Sequence, residues 1–520
     1  MVQDEARRDT VSALFARTVA RRGGDVALID GAETLDWRTL DRRARGFAGQ
    51  LQSLGIGVGD RVALWLPNGI DYVVAILAAA RCGAVAVHVN TRFGAAEVGD
   101  LLSRTRAALL VTGTGFDAAD FLDTLAAVAR ERLSSLRAVV ARGAPVAPHG
   151  LQLVPPVFEG ESEDLADVDG DCTIYTTGGT TARPKLVVHR QHSIADHAVA
   201  VASATGLDRP GATLLAAVPF CGTFGNVALM AAIAGGARIV CMAKFDGEEA
   251  RALIRSEAIT HLVGDDRMMA RLAEAALSRG ERYDSVRFFG VAAFGPDAGE
   301  ALARGGEAGL RPQAIYGSSE AQALFAIGDP SGGGWGAVRP LDPAGGFALG
   351  GDADELLLQG PSLFDRYLDD EEATRAARVS GLFRSGDRAT ASDGGFVFEG
   401  RIGDVLRLGG FLVSPLEIEA FLQAQPGVAL AQVVSVEGPR GTAAFAFVVP
   451  DPGVVLDEAG LIARCRAMLA RYKVPLRIVE VAAFPTSAGP NGPKISRAEL
   501  RRLAADTIAA SAPAKIPERM

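Results

Sequence analysis

The sequence lacks the cysteine and histidine patterns that would hold a structural metal ion or a disulfide framework. Its five cysteines are odd in number and scattered, with no C-x-x-C pair and no histidine at ligand spacing. His189, His192 and His197 cluster, but they do not form the H-E-x-x-H arrangement of zinc enzymes. We therefore expect reduced cysteines that serve packing, and no structural zinc.

An excess of positive charge is also missing. The formal net charge is −9 and there is no run rich in lysine or arginine, which argues against a nucleic-acid partner. The first eight residues mix both charge signs and no long apolar region follows them, which argues against a signal peptide. These absences predict a cytoplasmic protein.

Two apolar stretches, 73–89 and 227–243, are long enough to raise the question of membrane spans. Each contains an arginine, Arg81 or Arg238, and at least one glycine in its interior. A buried helix followed by a buried strand explains each stretch better. We therefore expect no membrane span.

At 520 residues, 48% of them apolar, the chain is too long for one hydrophobic core and should form at least two domains. Helical patterns alternate with short apolar runs at 44–54, 61–66, 73–80 and 84–89. This alternation is typical of βαβ units around a mostly parallel sheet. The sequence predicts an α/β fold with a large N-terminal domain of layered sheets and helices over residues 1–403.

The pattern changes in residues 404–520. The segment 414–417, Ser-Pro-Leu-Glu, is a capping box with proline at the first helical position. Strand-like segments follow at 428–436 and 443–449. This order predicts a small α+β C-terminal domain of ordinary domain size.

Residues 175–185, Tyr-Thr-Thr-Gly-Gly-Thr-Thr-Ala-Arg-Pro-Lys, combine two glycines, four threonines and a lysine in one loop. Such a loop can surround a polyphosphate with backbone N–H groups, hydroxyls and one cation, which points to ATP. It is not a Walker loop, because Lys185 has no glycine before it and is followed by Leu186 instead of a hydroxyl residue.

This loop resembles the phosphate-binding signature of the adenylate-forming superfamily, which includes acyl-CoA synthetases, aryl-acid ligases, luciferases and peptide-synthetase adenylation domains. The opening segments 35–40, 59–64 and 67–68 look like blocks of the same superfamily. The resemblance implies that the loop binds the β- and γ-phosphates. Ala182 departs from the usual glycine, and its methyl group restricts positive φ.

Four further blocks follow in the superfamily's order. They are 316–320, similar to Y-G-x-T-E; 381–387, similar to G-W-F-x-T-G-D; 400–407, similar to G-R-x-D-D-x-I-K; and 489–495, similar to the C-terminal lysine block. Any one of them alone would suggest an ordinary turn or a solvated charge pair. The resemblance implies these nucleotide-binding residues: Thr177, Gly178, Gly179, Thr180, Thr181, Tyr316, Ser319, Asp387 and Arg401.

The same resemblance implies catalytic roles for Lys494, Glu320 and Lys185, with Mg²⁺ bound by Glu320 and a hydroxyl from Thr180. A hard cation prefers oxygen ligands, which fits this pair. Asp404 would be the hinge about which the small domain moves. Gly409 and Gly410 would line the tunnel through which CoA enters as acceptor substrate.

The segment 218–225 resembles the superfamily's P-L-F-H block, but Cys221 or Gly222 stands where the histidine is expected. Losing an imidazole should leave extra volume in the acyl pocket. The predicted pocket offers no cation for a second carboxylate. Its residues are Phe220, Cys221, Gly222, Phe224, Val291, Ala292, Ala293 and Phe294.

These features predict ATP-dependent activation of an apolar, aromatic, alicyclic or medium-chain carboxylic acid to acyl-AMP, followed by transfer to CoA. An amide ligase that transfers the acyl group to an amine or amino acid is the alternative. A non-catalytic binding protein is disfavoured because the lysine and carboxylate positions are kept, and an esterase because the chain contains no G-x-S-x-G.

Overall fold

The computed structural model describes residues 8–116, 119–142, 148–177, 184–292, 298–328, 336–350, 355–402, 406–409, 411–413, 415–438, 441–487, 494–495 and 497–511. The chain forms two compact units. The first comprises 1–91, 98–176 and 186–402, and the second comprises 92–97, 177–185 and 403–520.

The helices occur along the whole chain. They are α1 Val11–Arg22, α2 Trp37–Ser53, α3 Ile70–Arg81, α4 Ala95–Thr105, α5 Phe121–Ala126, α6 Gln191–Thr205, α7 Thr223–Gly235, α8 Gly247–Ser256, α9 Asp266–Leu277, α10 Ala298–Glu307, α11 Glu371–Ala376, α12 Pro415–Gln423, α13 Glu458–Met468 and α14 Arg497–Ser511.

Most strands belong to the first unit. They are β1 Val26–Asp30, β2 Glu33–Asp36, β3 Arg61–Trp65, β4 Val85–His88, β5 Leu109–Thr112, β6 Gly115–Phe116, β7 Ala119–Asp120, β8 Ala138–Ala141, β9 Gln152–Val154, β10 Asp171–Thr176, β11 Leu186–Arg190, β12 Thr213–Ala216, β13 Arg238–Cys241, β14 His261–Asp265, β15 Phe288–Ala292, β16 Pro312–Tyr316, β17 Ala326–Gly328, β18 Val338–Pro340, β19 Gly346–Gly350, β20 Glu355–Gln359, β21 Arg366–Tyr367, β22 Arg378–Val379, β23 Leu382–Ser392 and β24 Gly395–Arg401.

The described part of the second unit has fewer strands. They are β25 Leu406–Leu408, β26 Phe411–Val413, β27 Val428–Gly438, β28 Gly441–Pro450, β29 Ile478–Glu480, β30 Thr486–Ser487 and β31 Lys494–Ile495.

Two large sheets organise the first unit. The 14-stranded sheet has the order β19-β20-β23-β24-β18-β17-β16-β15-β14-β12-β13-β1-β2, with β22 beside β23. In the order of the sheet, neighbouring strands run parallel between β16 and β1. The β1–β2 pair at one edge and the strands beyond β16 run antiparallel. The eight-stranded sheet has the order β21-β11-β10-β4-β3-β5-β8-β9. Its central strands run parallel, so both sheets have an edge where the carboxyl ends of strands meet.

One apolar core lies between these two sheets and contains helices α1, α2, α3, α6 and α7. A second core lies on the other face of the 14-stranded sheet, under α8, α9 and α10. Alternation along single strands produces this arrangement, since Leu214 and Ala216 join the first core and Leu215 joins the second. The predicted layered α/β class is confirmed.

The two apolar stretches fold as expected. Residues 73–89 fall in α3 and β4, and residues 227–243 fall in α7 and β13. Nearly every side chain in these elements is buried in the protein core. Among the described residues, no helix combines the length and the hydropathy needed to cross a bilayer.

The second unit is a small α+β structure built on the β27-β28-β29 sheet. Ile418 and Leu461, from α12 and α13, pack on one face of it, and Leu500 from α14 packs on the other. Alternate residues of β27, such as Val433 and Val434, point to opposite faces. The predicted strands at 428–436 and 443–449 therefore correspond to β27 and β28.

Candidate active site

The predicted phosphate loop joins β10 to β11, which pair as antiparallel neighbours. The N–H of Thr177 donates to the carbonyl of Lys185, 3.0 Å away, and closes the base of the loop. Among the described residues, the buried Thr177 hydroxyl has no hydrogen-bond partner, as expected of a group that would meet a ligand. The predicted residues Gly178, Gly179, Thr180 and Thr181 lie outside the described residues.

Three separate sequence blocks meet at Asp387. The Tyr316 hydroxyl donates to Asp387 Oδ2 at 2.6 Å, although the two residues are 71 positions apart. On the backbone, Asp387 in β23 lies directly opposite Arg401 in β24. Strand β16 ends at Tyr316, so the antiparallel half of the large sheet brings these positions together. A carboxylate has about four acceptor sites, so Asp387 can bind a further donor beside Tyr316.

The Tyr316 ring is held by aromatic residues that the sequence analysis did not single out. Phe396 contacts it edge to face, with 5.1 Å between ring centroids and 89° between the planes. Phe398 lies 5.7 Å from it and is 48% exposed. The apolar run 396–398 in β24 was the available signal for this cluster. That Tyr316 binds the nucleotide stays a prediction.

Glu320 lies in a short 3₁₀ turn, Ser319–Ala321, and two contacts fix it. The Tyr367 hydroxyl donates to Glu320 Oε1 at 2.8 Å, and the Phe364 N–H donates to its carbonyl at 2.7 Å. The Ser318 hydroxyl beside it is buried and has no hydrogen-bond partner in the described part of the chain. This turn therefore offers one carboxylate and one unused hydroxyl.

Ser319 is held by two residues from other elements. His189 Nε2 lies 2.8 Å from the Ser319 carbonyl, which can only accept, so this nitrogen carries the proton. Burial lowers the pKa of His189 to about 4, and the ring is neutral. The Thr223 hydroxyl at the start of α7 donates to Ser319 Oγ at 3.2 Å. This bond connects the predicted acyl pocket to the predicted nucleotide block.

The residues fit a magnesium ion that is bound chiefly through substrate. Within the described ranges, no three histidine, cysteine, aspartate or glutamate side chains converge on a metal position. Mg²⁺ commonly binds proteins through one or two carboxylates and completes its shell with water and substrate phosphates. Glu320 can supply that carboxylate. The second predicted ligand, Thr180, lies outside the described residues.

The predicted acyl-pocket segment is the loop between β12 and α7. Phe220 is buried and contacts Tyr72, with 5.4 Å between ring centroids, whereas Cys221, Gly222 and Phe224 are only partly buried. None of the five cysteines, all of which are described residues, forms a disulfide bond, and Cys221 alone is not fully buried.

Gly225 explains how α7 approaches this loop so closely. A Cβ atom there would lie 2.3 Å from the Pro219 carbonyl and 2.5 Å from that of Val218. No side chain fits at that distance. At Gly222, by contrast, the nearest atom to a Cβ would be the Pro219 carbonyl at 3.5 Å, an ordinary contact. Gly225 is therefore required by packing, while Gly222 leaves room for a side chain.

The structure separates one predicted pocket residue from the others. Val291 packs in the core under α8 to α10, on the face of the sheet opposite to Phe220 and Phe224. Its neighbour Gly290 faces the other core, because a Cβ atom added there would lie 3.0 Å from Phe288 and 3.4 Å from Ile315. The sequence analysis missed this position. Ala292, next but one along β15, shares that side by strand alternation. The predicted pocket residues Ala293 and Phe294 lie outside the described residues.

The remaining predicted positions belong to the end of the chain. The hinge residue Asp404 and the tunnel residue Gly410 lie outside the described residues, and Gly409 follows β25 with φ of 58°. The Lys494 backbone pairs with Ser487 in the β30–β31 hairpin. Its side chain lies outside the described part of the structure, so its catalytic role stays a prediction.

Two residues that the sequence analysis did not assign to the site hold the loop between β12 and α7. Asn68 and Tyr72 lie at the start of α3 and hydrogen-bond the backbone of residues 216–220. The Pro67-Asn68 pair was visible in the sequence, but nothing in it shows that the amide reaches a segment about 150 residues away.

Comparison with known proteins places this site in a family. The model of the AMP-binding enzyme family matches residues 15–368, and that of the AMP-binding enzyme C-terminal domain matches residues 417–489. A Rhodococcus jostii relative, 3-[(3aS,4S,7aS)-7a-methyl-1,5-dioxo-octahydro-1H-inden-4-yl]propanoyl:CoA ligase, is 32% identical, with 95% of this chain and 98% of that protein covered. Feruloyl-CoA synthase from an Amycolatopsis species is 29% identical, with 92% and 95% covered.

Solved structures share the fold. A double mutant of o-succinylbenzoate CoA synthetase from Bacillus subtilis has a TM-score of 0.79 at 22% identity, covering 94% of this chain and 98% of its own. Amide bond synthetase McbA from Marinactinospora thermotolerans also has a TM-score of 0.79, at 24% identity, with 95% and 100% covered. Since one family model spans more than half of the chain and a relative above 30% identity spans nearly all of it, the chain belongs to the AMP-binding enzyme family, the adenylate-forming superfamily that contains the acyl-CoA synthetases.

Proposed function

We propose that this enzyme activates a carboxylic acid with ATP and transfers the acyl group to the thiol of CoA. A carboxylate oxygen attacks the α-phosphorus, the bond to the bridging oxygen breaks, and pyrophosphate leaves. The thiol sulfur then attacks the acyl carbon, AMP leaves, and the thiol proton passes to solvent. The convergence of Tyr316, Asp387 and the Arg401 backbone supports this proposal, because three motifs distant in sequence meet at one place.

The proposed residue roles follow from charge and position. Asp387 would accept hydrogen bonds from the ribose hydroxyls, because an ionised carboxylate accepts two donors at once. Lys494 would stabilise the charge that develops on the α-phosphate, and Lys185 that on the outer phosphates. Mg²⁺, when bound at Glu320, would neutralise part of the phosphate charge.

The change between the two steps would follow the superfamily's pattern, in which the second step uses the other face of the small domain. In this proposal Asp404 absorbs the change in backbone dihedrals, and Gly409 and Gly410 approach the CoA arm. Such a hinge needs only a few residues.

We propose that the acid is apolar and carries a ring or a medium-length chain. Cys221, Gly222 and Phe224 present no charge that would pair with a second carboxylate, and the missing imidazole leaves space. Named relatives act on a fused-ring propanoate and on a ferulic-type acid, which supports a bulky acyl group. ATP and CoA as substrates, together with five described cysteines that form no disulfide, support a cytoplasmic location.

A second candidate function is amide formation, the activity named for a structural neighbour, the amide bond synthetase. Its first step would be the same, and only the acceptor would differ. Fold similarity below 25% identity gives no information on the acceptor, whereas both named sequence relatives use CoA.

The test gives the purified enzyme ATP, Mg²⁺ and a library of acids, with pyrophosphate release as the readout. The best acid is then offered CoA or a mixture of amino acids, and the products are identified by mass. We expect acyl-CoA and AMP. Amide without thioester would overturn the CoA assignment, and no acid-dependent pyrophosphate release would overturn the whole proposal.

A further inference from the structure

We propose that Asn68 and Tyr72 are positioning residues that set the shape of the acyl pocket and so the selectivity among acids. They do so by holding the backbone of residues 216–222, defined here as the acyl loop. This inference rests on the proposed function, because it assigns a role within the same site.

Asn68 holds the acyl loop through both atoms of its amide. Its Oδ1 accepts the Phe220 N–H at 2.7 Å. Its Nδ2 donates to the Ala216 and Val218 carbonyls, each at 2.9 Å, and lies 3.3 Å from the Met242 carbonyl. One buried side chain thus bonds backbone groups at and just beyond the ends of β12 and β13.

Tyr72 holds the other backbone group of the same residue. Its hydroxyl donates to the Phe220 carbonyl at 2.9 Å, and the oxygen lies 2.5 Å from His88 Nδ1. The other ring nitrogen, His88 Nε2, contacts the Thr173 hydroxyl. Phe220 is therefore fixed at its N–H by Asn68 and at its carbonyl by Tyr72.

The His88 ring lies between the Tyr72 and Thr173 hydroxyls and supports the position of Tyr72. Burial lowers its pKa to about 3, so the ring is neutral and has a single proton to place. Its ring also stacks on Tyr175, with 4.6 Å between centroids and 9° between planes. A neutral ring that is stacked on Tyr175 and contacted at both nitrogens keeps the Tyr72 hydroxyl in place.

The first turn of α3 is itself tightly placed. The Asp30 carboxylate accepts the Ile70 N–H at 3.0 Å and so caps the helix. A Cβ atom at Gly69 would lie 2.7 Å from Asp30 Oδ2, so glycine permits this approach. Asn68 and Tyr72, on either side of this cap, thereby link the end of β3 in one sheet to the end of β12 in the other.

A purely structural role would make these bonds matter for folding alone. The positions of Cys221 and Gly222 argue for more, because they immediately follow Phe220 and occupy the place of the missing histidine. If the Phe220 backbone moves, the partly buried side of the pocket moves with it. Selectivity among acids should then change, while ATP binding should not.

The experiment compares Tyr72→Phe and Asn68→Ala with Tyr283→Phe as matched control. Tyr283 is also buried and donates to a backbone carbonyl, that of Leu272 at 2.7 Å, but it belongs to the core under α8 to α10. For each protein, kcat/KM for pyrophosphate release is measured over acids of increasing size, and KM is measured for ATP. Hydrogen exchange is followed in the peptide that covers the acyl loop.

We expect Tyr72→Phe to change the ratio of kcat/KM between the largest and smallest acids about threefold to tenfold, the range of one lost hydrogen bond. KM for ATP should stay within about twofold of wild type, and loop amides should exchange at least about threefold faster. Tyr283→Phe should change neither the ratio nor loop exchange. Asn68→Ala should act in the same direction as Tyr72→Phe and more strongly.

An unchanged ratio with unchanged loop exchange in Tyr72→Phe would overturn the proposal, as would an equal change in Tyr283→Phe. If Asn68→Ala does not fold, Tyr72→Phe alone decides. If wild type releases no pyrophosphate with any acid, the proposed function fails, and loop exchange still decides whether Tyr72 holds the loop.

Discussion

The nucleotide side and the acyl side of the candidate site are held in different ways. On the nucleotide side, the motif residues bind one another directly, as Tyr316 binds Asp387. On the acyl side, the loop that carries Cys221 and Gly222 is held through its backbone by Asn68, from another sheet. ATP is the same in every member of a family, so side chains on that side are constrained by one ligand. The acid differs, and backbone shape can set its fit.

The largest expected effect belongs to Lys494. Lys494→Ala should slow adenylate formation by about 10²–10³-fold, the scale of one lost electrostatic contact to a transition state. Pyrophosphate release measures this step, and a synthetic acyl-adenylate should still be converted with CoA. Adenylate formation near the wild-type rate would show that the C-terminal lysine motif was wrongly assigned.

Asp387→Asn should weaken ATP binding and leave the order of acid preferences intact. The amide keeps the shape but loses the charge that accepts ribose hydroxyls, so KM for ATP should rise about 10-fold to 100-fold, as for a hydrogen bond to a charged group. The measurement is KM for ATP together with kcat/KM for several acids. A change in the order of kcat/KM among the acids would show that the nucleotide side and the acyl side are not independent.

Both sides contain a buried neutral histidine, so both should weaken in acid. Burial lowers the pKa of His88 and His197 to about 3 and that of His189 to about 4. Because the unfolded histidines take up protons near pH 6.5, stability is full above that pH and falls below it, until the folded pKa is reached. At pH 5 each of these three histidines should lower the free energy of unfolding by about 2 kcal/mol.

Urea unfolding at pH 8 and pH 5, followed by tryptophan fluorescence, measures this loss. All three tryptophans lie in the first 402 residues, as do all six histidines. His88→Gln should reduce the acid-induced loss by about 2 kcal/mol, by the same linkage. A flat pH dependence between 8 and 5 would contradict the assignment of these rings as neutral.

Gly222 and Gly225 give a matched pair on the acyl side. Gly222→His should fold normally, because a Cβ fits there, and should shift preference toward shorter or flatter acids about threefold to tenfold. Gly225→Ala should lower activity with all acids and cost about 1–3 kcal/mol, because its Cβ would overlap the loop carbonyls. Thermal unfolding and acid profiles separate the two results. A uniform loss in Gly222→His would show that this stretch is structural packing.

The smallest effect is expected where the two sides touch. Thr223→Val removes the hydroxyl that donates to Ser319 Oγ at 3.2 Å and keeps the shape of the side chain. KM for ATP and KM for the acid should each change less than about threefold, since a single long neutral bond is lost. A tenfold change in both constants would show that the two sides are coupled through α7.

Sequence patterns predicted the layered fold because strand and helix periodicities differ, and the apolar stretches 73–89 and 227–243 carried both. They identified Tyr316 and Asp387 because short motifs carry the nucleotide chemistry. They missed Asn68 and Tyr72, since a side chain that bonds backbone carbonyls leaves no motif at the loop it holds. They wrongly placed Val291 in the pocket with Ala292. Neighbours in sequence point to opposite faces of a strand, and a linear block of sequence does not show this.

The most direct test of this account crosses its two sides in one experiment. KM for ATP and the kcat/KM ratio between a large and a small acid are measured in Asp387→Asn, in Tyr72→Phe and in the double variant. The account predicts that Asp387→Asn raises only KM for ATP, that Tyr72→Phe changes only the acid ratio, and that the double variant shows both effects independently. It would be contradicted if either single variant changed both quantities to the same degree.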